Sequence, residues 1–149
     1  PKTPRRQRQM CIRDSSSRDY SLSIGSPAID HIASDQSYES DFDISGVSRP
    51  QGNGFDMGAY ERLNTWDGSE STAWTTADNW SAGVVPIAGR SPLIVNASNA
   101  PQITTTVSLK DLTINSGGSL TIASDGSLNI NGTLTNGGTL TINGSVNID

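Results

Sequence analysis

The sequence predicts an all-β protein whose short strands stack as the turns of a parallel β-solenoid. About two residues in five are Ser, Thr, Asn or Gly, and only 33% are hydrophobic, so a large conventional core is excluded. Apolar pairs of the form Leu-x-Ile recur after residue 108, separated by Asn-Gly or Asp-Gly pairs. A repeat this short cannot bury its apolar face alone, whereas stacked turns share one core.

The repeat over residues 108–149 is the clearest of these signals. Its apolar pairs begin at positions 112, 120, 128, 140 and 146, with Leu134 as a half-pair. The first three steps of 8, 8 and 6 residues make one three-sided turn of about 22 residues. Asn-Gly and Asp-Gly also favour hairpins, but the strands are too short for a stable free β-meander. The parallel solenoid is therefore preferred, with Thr on the exposed face and Asn ladders at the corners.

The same segment offers little for catalysis. After Asp111 the only charged residues are Asp125 and Asp149, and no aromatic residue follows. General acid–base chemistry needs a titratable side chain beside the substrate, so we expect neither an active site nor a cofactor here. The flat face of Thr, Asn and Ser is expected either to contact polysaccharide or to be simply hydrated, and hydration is the preferred interpretation.

Residues 1–15 differ from the rest of the chain. They hold five of the ten basic residues and the single cysteine, Cys11. The run Arg5–Ser15 resembles a translated sequencing adapter, so we interpret residues 1–15 as a disordered artefact and expect the chain to be a fragment. Residues 16–149 then carry a net charge of −9. Acidity without a basic patch argues against nucleic-acid binding, and no apolar run is long enough to span a membrane.

Residues 16–62 contain many turn-forming residues. One short helical turn is expected at Pro27–Ile32, because proline suits the first position of a helix. Phe55, Met57 and Ala59 alternate with polar or small residues, which is typical of a half-buried strand.

Two motifs in this segment carry a family resemblance. Gly25–Asp30 reads GSPAID and Asp56–Glu61 reads DMGAYE, with Arg49 and Gly52 between them. Together they resemble the closing segment of right-handed parallel β-helix domains of secreted bacterial proteins, of the pectate-lyase-like, choice-of-anchor type. The resemblance implies that residues 16–62 are the terminal segment of such a domain.

Three carboxylates fall within these motifs. Asp30, Asp56 and Glu61 could act as acids, bases or calcium ligands, as carboxylates do in polysaccharide-cleaving β-helices. The alternative is that they cap turns and pair with Arg49. We expect the second role, since a terminal segment lies far from the strand face on which such active sites occur.

Glu39, Asp41 and Asp43 form a second acidic group. They could bind calcium, but the spacing of a calcium-binding loop is absent, so a solvated acidic loop is the preferred interpretation. His31 has no Ser or Cys partner in a recognisable motif. A structural or incidental role is therefore expected for it.

The tryptophans Trp66, Trp74 and Trp80 lie within 15 residues of one another. Their spacing, with Asn-Trp-Ser and Gly-Val-Val-Pro, resembles the start of a module in large secreted bacterial proteins that leads into a β-solenoid. We expect residues 63–107 to form a Trp-rich junction whose buried indoles seal the solenoid end. The alternative is a sugar-stacking platform, which makes the three tryptophans the candidate carbohydrate contacts.

These interpretations predict a fragment of a large bacterial protein that is secreted or displayed on the outer-membrane surface. Its predicted function is that of a structural stalk or adhesin-like scaffold, with polysaccharide or cell-surface glycans as candidate partners. Two alternatives stay open. The chain is either an accessory region of a polysaccharide-degrading β-helix enzyme or a carbohydrate-binding module that uses its tryptophans.

Overall fold

The computed structural model describes residues 20–23, 26–33 and 42–149, and these form an all-β protein. Its regular elements are short, as the frequent turn residues require. The one helix among them is a three-residue 3-10 helix at Ala77–Asn79. The strands are β1 (Ile32–Ala33), β2 (Gly54–Phe55), β3 (Thr65–Trp66), β4 (Leu93–Ile94), β5 (Gln102–Ile103), β6 (Thr106–Leu109), β7 (Leu112–Ile114), β8 (Ser119–Ile122), β9 (Ser127–Ile130), β10 (Leu134–Asn136), β11 (Thr139–Ile142) and β12 (Ser145–Ile148).

Strands β3 to β12 form three parallel sheets. Their strand orders are β10-β7-β4-β3, β11-β8-β5 and β12-β9-β6. From β7 onward the chain enters the three sheets in turn, so each circuit adds one strand to every sheet. Every strand pair in these sheets is parallel, and the β-meander considered for this repeat is therefore wrong.

The strand register confirms the predicted period of the repeat. Leu112 pairs with Leu134, which lies 22 residues further along the chain. Ile122 pairs with Ile142, and Asn129 with Asn147. Because side chains alternate across a strand, this register places apolar residues above apolar ones and polar residues above polar ones.

The core is a column of Leu and Ile enclosed by the three sheets. Its members include Leu112, Leu120 and Leu128, each 1% exposed or less. The turn formed by β10, β11 and β12 contacts this column on one side only, so Ile142 and Ile148 remain 52% exposed. Within the described residues, no helix has the length and apolar character that crossing a membrane requires.

The corners of the repeat need glycine because successive turns approach closely there. A β-carbon on Gly144 would overlap the carbonyl oxygens of Ala123 and Gly126 in the turn beneath. The Asn-Gly pair at this corner therefore serves backbone packing and not the tight hairpin turn for which it is better known.

Residues 26–62 contribute an antiparallel pair and no parallel strands in the part described. Strand β1 pairs with β2 through Ile32 and Phe55. The helical turn expected at Pro27–Ile32 is wrong, because residues 27–30 form a turn and Ile32 belongs to a strand. The expected alternation is also wrong, since Met57 and Ala59 are exposed while Phe55 is buried.

Candidate functional site

The three tryptophans form one buried cluster at the β3 end of the sheets. Trp66 is 0% exposed, and Trp74 and Trp80 are each 2% exposed. Trp80 meets the other two rings edge-on, with ring centroids 5.1 Å from Trp66 and 4.7 Å from Trp74. Edge-to-face contacts at this separation are favourable for aromatic rings, so the cluster extends the Leu and Ile column with indole.

Two of the three indole N–H groups have backbone acceptors. Trp66 Nε1 donates to the carbonyl oxygen of Asn99 at 2.8 Å, and Trp80 Nε1 donates to that of Trp74 at 3.0 Å. Trp74 Nε1 is buried and has no partner within the described residues. The predicted pattern of buried indoles bonded to loop carbonyls is present for Trp66 and Trp80.

The burial of the rings bears directly on the carbohydrate contacts considered at Trp66, Trp74 and Trp80. A sugar stacks on an exposed aromatic face, and none of the three indoles offers one. The structure therefore corrects this assignment: in this arrangement the tryptophans pack the protein interior. A buried position is stable for them because each ring removes a large apolar area from water.

Two buried asparagines that sequence reasoning missed hold the loops around this cluster. Asn79 is fully buried, and its Oδ1 accepts hydrogen bonds from the backbone N–H groups of Glu70 and Ser71. The side chain of Asn64 donates to the Val84 carbonyl and accepts from the N–H of Ala82. Both side chains bond backbone groups that have no strand partner, which the surrounding Trp, Pro and Gly residues alone do not reveal.

Asp30, Asp56 and Glu61 form a carboxylate network with the backbone. Asp56 accepts from the N–H groups of Asp30 and Arg62, at 2.9 and 2.7 Å. Glu61 accepts from the N–H groups of Gln51 and Asp56, at 2.9 and 3.2 Å. The carboxylates therefore stabilise turns, which is the second of the two roles weighed for them.

Arg49 pairs with this network as expected. Its Nε lies 3.6 Å from Glu61 Oε2, and its Nη2 donates to the Gly58 carbonyl at 2.7 Å. Burial raises the pKa of Glu61 to about 7, against the backbone N–H groups and the charge of Arg49, which lower it. Burial also raises the pKa of Asp56.

Asp43 is not part of a solvated loop, and this expectation is wrong. It is 8% exposed, and its carboxylate accepts from the backbone N–H groups of Ser45, Val47 and Glu61. Burial by itself would raise the pKa of Asp43, but these donors outweigh it and lower the pKa. Its oxygens are thus occupied by N–H donors and not presented to a cation.

The other members of the acidic group and His31 add no ligand set. Glu39 and Asp41 lie outside the described residues. His31 is exposed. Within the described residues there is no group of three or more His, Cys, Asp or Glu side chains arranged to hold a metal ion.

A groove of about 350 Å³ runs beside this network. Asp43, Glu61 and Arg62 line it together with apolar residues that include Leu22 and Leu93. Because Asp43 and Glu61 already accept backbone N–H groups, neither carboxylate is free to take a proton from a substrate without breaking a turn.

The outer face of the third sheet carries a ladder of polar side chains. Asn147 Nδ2 donates to Asn129 Oδ1 at 2.8 Å, and the hydroxyl of Ser145 donates to that of Ser127 at 3.0 Å. Asparagine ladders were expected at the corners, but this one lies on a strand face. The face is polar and uncharged, because β6, β9 and β12 contain no titratable residue.

The comparisons with known proteins identify one family. A model described as a domain of unknown function, DUF8693, matches residues 65–148. The chain belongs to this family. The match begins with the first residue of β3 and ends with the last residue of β12, so the DUF8693 region covers the Trp cluster and the stacked repeat together. No curated protein and no solved structure matches the chain.

Proposed function

We propose that the chain is a structural scaffold, a stalk or adhesin-like element of a secreted or cell-surface bacterial protein. In this proposal the three parallel sheets of the DUF8693 region are the turns of a right-handed β-solenoid, and residues 16–62 are the closing segment of a preceding β-helix. The observation that carries the proposal is the strand register, in which each turn repeats the residues of the turn beneath it.

The chemistry of the stacked region supports this function. Parallel strands at successive levels give a stiff element in which every turn buries the apolar face of its neighbours. The pairs Leu120–Leu140 and Ile122–Ile142 show this repetition directly. A right-handed connection is the expected one between parallel strands.

The charged groups support the same interpretation. The strands β7 to β12 contain no charged residue. Among the described carboxylates, Asp43, Asp56 and Glu61 accept hydrogen bonds from backbone N–H groups. Neither arrangement holds an acid and a base in the geometry that hydrolysis or elimination requires, which favours a scaffold over an enzyme.

Disulfide trapping tests the solenoid. In a Cys11→Ser background, Thr121→Cys with Thr141→Cys places two thiols on adjacent strands in register, within the range that a disulfide spans. We expect an intramolecular disulfide after mild oxidation. The matched control, Thr121→Cys with Thr135→Cys, places the thiols on different sheets. A disulfide in the control pair alone would overturn the stacking.

A functional test follows from the same proposal. The purified chain is expected neither to depolymerise a panel of pectins and other acidic polysaccharides nor to bind a glycan array. Protease treatment of intact producing cells is expected to remove the protein, as it would any surface element. Reproducible polysaccharide cleavage that is lost in Glu61→Gln would replace the scaffold with an enzyme.

A further inference from the structure

The three parallel sheets do not end at the same level beside the Trp cluster. The first sheet continues past β4 to β3. The second continues past β5, because Ala73 forms a parallel bridge with Gln102. The third sheet stops at β6, and no described strand pairs with β6 on its outer side.

The outer side of β6 presents backbone groups to this open position. Ser127 N–H donates to the Thr105 carbonyl, and Asn131 N–H donates to the Leu109 carbonyl. In a parallel strand alternate residues bond to opposite sides, so the N–H and C=O groups of Thr106 and Ser108 point away from β9. Those groups have no backbone partner among the described residues, and such an edge is a template for a further strand.

A groove of about 300 Å³ lies along this edge. One wall is β6 itself, and the other is the loop that contains Val85, Pro86 and the 63% exposed Ile87. Trp74, whose buried Nε1 has no partner in the part of the chain that is described, also lines it. No lining residue is charged.

We propose that this groove binds an extended peptide strand of a partner protein, which pairs with β6 and completes the fourth level of the third sheet. An extended backbone supplies the alternating donors and acceptors that Thr106 and Ser108 lack. The uncharged walls select a peptide with small or aliphatic side chains at alternate positions. A sugar fits this groove less well, because Trp74 presents no open ring face.

A synthetic peptide that copies β9 is a suitable probe, since β9 already pairs with β6 in register. We choose acetyl-Gly-Ser-Leu-Asn-Ile-Asn-Gly-amide, the sequence of residues 126–132, and titrate it into the full chain. The readout is NMR chemical shift together with amide hydrogen exchange. Saturable binding that slows exchange at Thr106 and Ser108 is expected, and unchanged exchange at both amides at saturating peptide would overturn the proposal.

Two variants separate strand addition from binding elsewhere. Ile87→Glu places a charge at the mouth of the groove and should weaken binding about tenfold or more, whereas the equally exposed control Ile44→Glu should not. Thr106→Pro removes one outward N–H and is tolerated at a sheet edge, with an expected loss of about fivefold to tenfold. Equal affinity in Ile87→Glu and Ile44→Glu would show that the peptide binds outside this groove.

Discussion

The buried carboxyl of Glu61 should make the protein less stable as the pH rises from acid to neutral. Glu61 is 5% exposed, and burial raises its pKa from 4.5 to about 7. A carboxyl whose pKa is higher in the folded state binds a proton more tightly there, so folding is favoured below pH 4.5 and this advantage disappears as the pH rises through 7.

The size of the effect follows from the two pKa values. Between them the folded state holds one proton more than the unfolded state, so the free energy of unfolding falls by about 1.4 kcal/mol for each pH unit. The full change is about 3 kcal/mol, an upper value because Arg49 lies close to the carboxylate. Asp56, whose pKa is also raised, contributes with the same sign. Asp43, whose pKa is lowered, acts in the opposite direction but only below its ordinary value of 3.8.

Urea unfolding monitored by tryptophan fluorescence at pH 5, 6, 7 and 8 measures this dependence. Glu61→Gln serves as the comparison, because the amide cannot titrate. We expect the variant to be less stable at pH 5, since the amide accepts the N–H groups of Gln51 and Asp56 poorly, and its stability to depend less on pH. The reasoning fails if the wild type is equally stable at pH 5 and pH 7, or if Glu61→Gln keeps the full pH dependence.

Three further predictions concern packing, backbone conformation and metal. Leu128→Ala should lower the free energy of unfolding by about 2–5 kcal/mol, and Leu140→Ala by clearly less because Leu140 is only partly buried; equal losses in urea titrations would contradict this. Gly68→Ala should cost more than Gly83→Ala in thermal unfolding: both glycines have positive φ, but only a β-carbon on Gly68 would overlap neighbouring atoms. Calcium at millimolar concentration should leave the melting temperature unchanged, because the carboxylate of Asp43 already accepts N–H groups, and a rise of several degrees would reveal a site.

The repeat could be predicted from the sequence because its determinants are local and periodic. The spacing of Leu112, Leu120, Leu128 and Leu134 contains the length of each strand and the position of each corner. Stacking then follows, since a turn of this length exposes its whole apolar face until another covers it. The register of Leu112 with Leu134 agrees with this simple reasoning.

Residues 26–62 resisted the same approach because distant backbone groups determine their structure. Met57 is apolar yet half exposed, and Asp43 is charged yet buried. The burial of Asp43 depends on the N–H of Glu61, which lies 18 residues away. Alternation of apolar residues carries no information on such a bond, so the sequence could identify the carboxylates as turn-capping residues without identifying the groups that they cap.

The Trp cluster and the open edge of β6 have one structural origin. The chain between Trp74 and β4 forms a 3-10 helix and the loop containing Pro86, where a complete turn would place a third strand. This segment covers the core, since Trp74, Pro86 and Val107 are all buried, but it leaves the outward N–H and C=O groups of β6 unpaired. Core burial is therefore complete at this end while backbone pairing is not, so a partner gains hydrogen bonds there without the protein exposing a large apolar surface in its absence.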